Sequence, residues 1–132
     1  MTRTLLVSLF LFFGVIQPVN YQADIVDDLL VSFRNGNAKQ VAANFAPTIE
    51  LIILDEEDVY SKAQGEQILK DFFSKHSPLK ATIFHKSNEA KSYRFAVITL
   101  NTNNGNFRVA ITLKQAGNAF KISELKIEPI KN

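Results

Sequence analysis

Residues 91–117, KSYRFAVITLNTNNGNFRVAITLKQAG, decide how this chain folds. They form two runs of alternating residues joined at Asn104-Gly105, the dipeptide that best tolerates the positive φ angles of a two-residue type I′ turn. A turn there sets Leu100 opposite Val109, Ile98 opposite Ile111 and Ala96 opposite Leu113. Those side chains share one face, which is therefore apolar throughout. The other face carries Phe95, Val97, Thr99, Asn101, Arg108, Ala110, Thr112 and Lys114 and is only half apolar.

Working outward, Gly117-Asn118 makes a second hairpin into AFKISELKIEP, residues 119–129. A straight ladder would bury Glu124, Lys126 and Glu128 along with Ile122, at a cost no core offsets. A one-residue bulge near Ser123-Glu124 instead brings Ile122, Leu125 and Ile127 inside. On the upstream side residues 79–87 alternate, and a turn at 88–91 leads back into the hairpin. Pairing back from that turn puts Leu79, Ala81, Ile83 and His85 on the face of Ala96, Ile98 and Leu100.

Three helices and a short strand pair precede this sheet. Asp24 caps a helix whose apolar positions Ile25, Val26, Leu29, Leu30 and Phe33 recur at helical spacing, and Asn35-Gly36 stops it. Asn37 caps a second helix that carries Val41 and Phe45 and ends at Pro47. TIELIIL, 48–54, is a strand; DEED, 55–58, is a solvated turn; Val59-Tyr60 is extended. Ser61 caps SKAQGEQILKDFFSKH, whose stripe is Ile68, Leu69, Phe72 and Phe73, with Lys75 and His76 at the negative end of its dipole. The order is ααββαββββ, an α+β fold with helices on a curved, mostly antiparallel sheet and no βαβ alternation.

The chain has 132 residues, enough for one domain over residues 24–132. It has no cysteine, which excludes disulfides, thiolate metal sites and thiol nucleophiles. Residues 1–23 read as a secretory signal: Arg3, then an apolar run over 5–16, then Pro18. That run is shorter than the roughly 20 residues that span a bilayer. Ala23 is the best residue for the −1 position despite bulky Tyr21 at −3, and an uncleaved anchor is the rival reading. Without Arg3 the 15 basic residues fall to 14, against 13 acidic. No basic block appears, so neither nucleic acid nor, once the signal is gone, a membrane is an expected partner.

The segments IVDDLLVSFRNGN, VYSKAQGEQILKDFF and NFRVAITLKQAGNAFKISELKIE resemble the nuclear-transport-factor-like superfamily. Within it they are similar to a family of exported Gram-negative proteins known as a domain of unknown function. The likeness covers residues 24–128. It implies a cone in which a curved sheet wraps a long helix and encloses a pocket. Superfamily members include isomerases, dehydratases and non-catalytic binding modules, so fold alone is a weak warrant for function.

Proton-transfer chemistry of that kind needs an acid or base with a shifted pKa in an apolar cavity. The best inward polar group is His85, Arg94 and Gln115, with Tyr60 beside the pocket; together they are the expected ligand-binding mouth, weighed against a merely solvated end of the sheet. Glu124 would be a buried base only without the bulge. DEED lacks the spacing and central glycine of a calcium loop, and the two histidines lack metal-ligand spacing. No catalytic residue, metal ligand or cofactor is therefore expected. The outer patch of Phe84, Phe95, Val97, Ala110 and Thr112, with Thr82, suggests an isologous homodimer interface centred on Phe95 and Val97. The alternative is a monomer whose aromatics lie under the stems of Lys80, Arg108 and Lys114. The leading expectation is an exported, periplasmic or secreted, non-catalytic domain that binds a small ligand or protein partner between helices and sheet. An isomerase or dehydratase using that pocket, and a structural homodimer with a filled interior, are the alternatives.

Overall fold

The computed structural model describes residues 24–131 and, before them, Gly14 alone. The expected signal at 1–23 otherwise lies outside the described residues. Among the described residues three helices, α1 (Ile25–Arg34), α2 (Ala38–Ala42) and α3 (Lys62–Lys75), accompany six strands. The strands are β1 (Phe45–Ile53), β2 (Glu56–Ser61), β3 (Pro78–Ala90), β4 (Tyr93–Thr102), β5 (Gly105–Ala116) and β6 (Ala119–Pro129). They form one open sheet in the order β2-β1-β6-β5-β4-β3, antiparallel except where β1 runs parallel to β6. The element order ααββαββββ is the expected one.

Caps place the helices. Asp24 accepts a hydrogen bond from the Val26 N–H at the start of α1. Gly36, at φ 62°, ends it: its N–H bonds Phe33 and the Asn37 N–H bonds Ser32, a double closure that needs a left-handed residue. Ser61 and Gln64 form a reciprocal capping box at α3. α1 lies over β3 and β4, α3 lies over β1 and β2, and α2 packs against α3. Between them Phe33, Val41, Leu69, Ile98, Ile111 and Leu125 are fully buried. The only polar residues buried among those described are Ser32 and Thr102, and both are hydrogen-bonded. Among the described residues no ionisable side chain joins the core.

The central hairpin keeps its expected faces but not its turn. Thr102 pairs with Gly105, Leu100 with Phe107, Ile98 with Val109 and Ala96 with Ile111. The loop is Asn103-Asn104, two residues' register from the expected pairing. An even slip leaves each residue on its face, so the apolar set is still buried. A type I′ turn at Asn104-Gly105 requires positive φ at both residues, and only Gly105 has it. A distant partner selects this turn. The Asn103 N–H donates to the Ser77 carbonyl at 3.0 Å, and the Ser77 N–H returns a bond to Asn103 Oδ1 at 2.9 Å. Thr102 Oγ1 closes the loop internally on Gly105 O and the Asn104 N–H.

The bulge in β6 is present. Thr112 pairs with Glu124 and Leu113 with Ile122, so Ser123 is the extra residue, and Ile122, Leu125 and Ile127 are fully buried. The Gly117-Asn118 hairpin also forms, with Gly117 at φ 63°.

Three local expectations are corrected. Phe45 and Pro47 belong to β1, not to the second helix, because the chain leaves α2 to pair with β6: Phe45 meets Ile122, and the Asn44 carbonyl accepts from the Ile122 N–H at 2.7 Å. Pro47 falls in the register irregularity between Phe45 and Glu50, where its missing donor breaks no rung. Second, Glu56, Glu57 and Asp58 lie within β2, and the turn contracts to Leu54-Asp55. β2 is an edge strand, where exposed acids cost nothing and repel further strands. Third, β3 continues to Ala90, so the turn before β4 is Lys91-Ser92.

On the outer face Glu50 pairs with Glu124 across β1 and β6. A hydrogen bond with Glu57, then the charge of Glu124, raise the Glu50 carboxyl above its usual range. The native state therefore binds this proton more tightly than the unfolded chain does. The resulting loss of stability is fully present at neutral pH and is relieved as pH falls through the raised value into the ordinary carboxylate range. Glu50→Gln should raise the melting temperature slightly at pH 7, with the gain gone by about pH 4. A gain equal at both pH values, measured by thermal denaturation, would show that charge is not its source.

Candidate functional site

The described residue set contains a cleft of about 320 Å³ where α3 crosses the β1–β2 hairpin. Its floor is apolar. Leu51 and Phe72 are buried, while Ile53, Ile68 and Tyr60 are half-buried and pack on the core. The geometry follows from two periodicities. Alternation along β1 sends Leu51 and Ile53 inward, and a four-residue spacing along α3 stacks Ile68, Phe72 and His76 above them. Two other depressions of similar size, around Glu128–Lys131 and between α1 and α2, have no fully buried apolar floor.

The rim is polar. Asp55, Glu56, Asp71, Lys75 and His76 surround the opening. Lys75 Nζ pairs with Asp71 Oδ2 at 3.0 Å, both side chains about two-thirds exposed, so the pair is a weak, solvent-screened one. His76 is held firmly. Its ring lies 4.8 Å from both the Phe72 and the Phe107 rings, and Nδ1 lies 3.0 Å from the Asn104 carbonyl oxygen. His76, expected as a charge partner at the helix end, here latches the hairpin tip to α3.

Leu54 forms the lip. It sits at φ 58°, the described non-glycine residue with positive φ, and its side chain is 42% exposed. That conformation costs an L-residue about 1–2 kcal/mol. It persists because the Leu54 N–H donates to the Ile127 carbonyl at 2.9 Å, which fixes where β1 ends.

The residues expected at a pocket mouth separate. Tyr60 lines the cleft. Arg94 and Gln115 come together around Phe120 at the far end of the same inner face: the Arg94 guanidinium lies 4.0 Å from the Phe120 ring centroid, and Gln115 pairs with Phe120 across the strands. Arg94 also reaches Asp24 at 4.0 Å, and Lys86 reaches it at 3.2 Å. Burial pushes the Asp24 carboxyl upward, but the Val26 N–H and these two cations outweigh it and hold it below its ordinary value. His85 lies on the outer face. A bulge between Ile83 and His85 sets it opposite Val97, which corrects the expectation that it shares the face of Ala96. Leu79, next to another shift, is 69% exposed. Glu124 lies outside the core, as the bulge demands.

On that outer face Phe95 pairs with Thr112 and Val97 with Ala110. Val97 is already 8% exposed within one chain, whereas Phe84 is 68% exposed, with the Arg108 guanidinium 5.6 Å from its ring centroid. The apolar surface on offer is therefore concentrated at Phe84 rather than at Val97.

Ile68, Phe72 and His76 were visible in the sequence as a helix stripe and a terminal charge. Only the overhang of the β1–β2 hairpin turns part of that stripe into the wall of a cleft.

No curated protein matches the chain. Among solved structures it is similar to a DUF4783 family protein from Bacteroides uniformis, with TM-score 0.79 and 23% identity over 83% of this chain and 100% of that one. A domain of unknown function with a cystatin-like fold from Nostoc punctiforme aligns with TM-score 0.64 and 8% identity, over 80% of this chain and 72% of that one. A protein titled Rd1NTF2_04 with long sheet aligns with TM-score 0.63 and 12% identity, over 77% of this chain and 94% of that one. These likenesses show the nuclear-transport-factor-like, cystatin-like fold. The pattern of the family described as domain of unknown function DUF4783 matches residues 26–128, nearly all of the described structure, and the chain belongs to that family.

Proposed function

We propose that this chain is an exported, non-catalytic domain that binds a small ligand in the cleft between α3 and the β1–β2 hairpin. One observation carries the reading: a cleft of about 320 Å³, within the size range of ligand pockets, with an apolar floor continuous with the core and a polar rim. Proton-transfer catalysis is the weaker reading, because every acid and histidine described lies at a rim or on the surface rather than inside an apolar cavity. Export rests on residues 1–23, and periplasmic or secreted destinations fit it equally. A protein partner is the natural occupant of the outer sheet face. Exposed Phe84, on the face that also carries half-buried Phe95, supports an isologous homodimer there.

Native mass spectrometry of the mature protein, purified from the bacterial envelope without refolding, tests all three parts. The expected spectrum is a dimer of chains that begin after Ala23, carrying extra mass that is lost on denaturation. A bare mass at good yield overturns the ligand reading. A chain that still begins at Met1 overturns cleavage, and a monomer at micromolar concentration overturns the dimer.

A further inference from the structure

The cleft is one-sided in its hydrogen-bonding chemistry. Asp55 and Glu56 stand exposed at its rim and take part in no ion pair among the described residues. Ionised carboxylates only accept hydrogen bonds. His76 is committed in the same sense. A carbonyl oxygen can only accept, so the contact with Asn104 places a proton on Nδ1 and leaves Nε2 of the neutral ring as an acceptor. The cation of the lining, Lys75, is engaged by Asp71 one turn back on its own helix. Three carboxylates thus face one ammonium, so the rim carries net negative charge, although exposed Lys75 keeps donors beyond its bond to Asp71. Of the remaining lining groups only the Tyr60 hydroxyl can donate, and it can equally accept.

An anionic ligand would meet net repulsion at this rim, and a ligand of acceptors alone would leave Asp55 and Glu56 unsatisfied. A ligand with N–H donors and a positive charge satisfies Asp55, Glu56 and His76 together. Below that rim the side chains of Ile53, Tyr60, Ile68 and Phe72 take an apolar body. The volume of about 320 Å³ is at the small end for ligand pockets, which suits a single ring or short chain rather than a polycyclic molecule or peptide.

We infer, resting on the ligand-binding reading above, that the cleft selects a small organic cation: an amine with a compact apolar body, its ammonium at Asp55 and Glu56 and its body on the Ile68–Phe72 floor.

The test is an amide-resonance titration of the mature protein at pH 7 with three probes of matched shape: 2-phenylethylamine, 2-phenylethanol and phenylacetate. The amine should shift Tyr60, Ile68, Phe72 and His76 saturably and bind about tenfold more tightly than the alcohol, the scale of one added charge-assisted contact. Its affinity should fall with added salt while that of the alcohol holds. The double variant Asp55→Asn/Glu56→Gln, at two exposed positions, should melt with the parent and bind amine and alcohol alike. Equal binding of all three probes, or preference for phenylacetate, overturns the cation selectivity while leaving the cleft a ligand site. If none of them shifts a cleft residue at millimolar concentration, the cation inference falls. The ligand reading is then judged separately, by whether the native protein carries a bound mass.

Discussion

Gly65→Val in α3 is expected to unfold this domain at a temperature roughly 10 °C lower, through a loss of about 3 kcal/mol. A glycine inside a helix ordinarily costs about 1 kcal/mol relative to alanine, so by helix propensity alone Gly65→Ala should stabilise. Packing reverses that sign. A Cβ at Gly65 would stand 3.0 Å from Ile49 Cγ2 and 3.1 Å from Phe45 Cε2, and both partners are fully buried in β1 with nowhere to yield. Gly65→Ala should therefore cost about 1–2 kcal/mol, and the branched valine more. Gln67→Ala, at an exposed position of the same helix, should stay within about 0.5 kcal/mol of the parent. Chemical denaturation reads all three. A more stable Gly65→Ala would mean that β1 can retreat from α3, and the close approach that shapes the cleft would lose its explanation.

Phe107→Ala should be the other severe change, at about 3–5 kcal/mol. Phe107 is 4% exposed and meets the Phe72 ring edge-on at 5.1 Å and the His76 ring at 4.8 Å. It stands behind the residues that wall the cleft and beneath the turn that His76 latches. Its removal should act on that latch as well as on the core. Amide exchange at Asn103 and Ser77, whose N–H groups bond across the latch, should accelerate more than exchange in β6. Phe107→Leu, which keeps most of the apolar volume, should lose far less. Global destabilisation without faster exchange at Asn103 would show that Phe107 fills space only and does not hold the tip.

These two residues show how unevenly the site could be read in advance. Phe107 belongs to an alternating run, so its inward side follows from pattern alone, even though its partner across the hairpin is Leu100 rather than the Thr102 that an Asn104-Gly105 turn implies. Gly65 carries no such signal. Its immediate neighbours Ala63, Gln64, Glu66 and Gln67 favour helix, and its reason for being glycine lies in two side chains of another element. The expected grouping of His85 with Arg94 and Gln115 fails for a related reason. His85 follows the alternation of β3 perfectly, yet one extra residue before it sends it to the opposite face. The bulge in β6 could be foreseen because buried charge would otherwise result. The bulge in β3 could not, because either face of an edge strand accepts a histidine.

By itself the sequence determined the order of elements, the helix caps, the inner residues of β4, β5 and β6, and the bulge at Ser123. Each of these rests on local spacing or on the large cost of burying a charge, and neither depends on distant partners. The tertiary structure alone decided where the central hairpin turns, that Phe45 to Pro47 are strand, and that acidic residues form β2. It also decided that Tyr60 lines a cleft while Arg94 and Gln115 gather around Phe120. In those cases competing local conformations differ by little. The balance is then set by hydrogen bonds from remote segments: Ser77 on Asn103, Ile122 on Asn44 and Ile127 on Leu54.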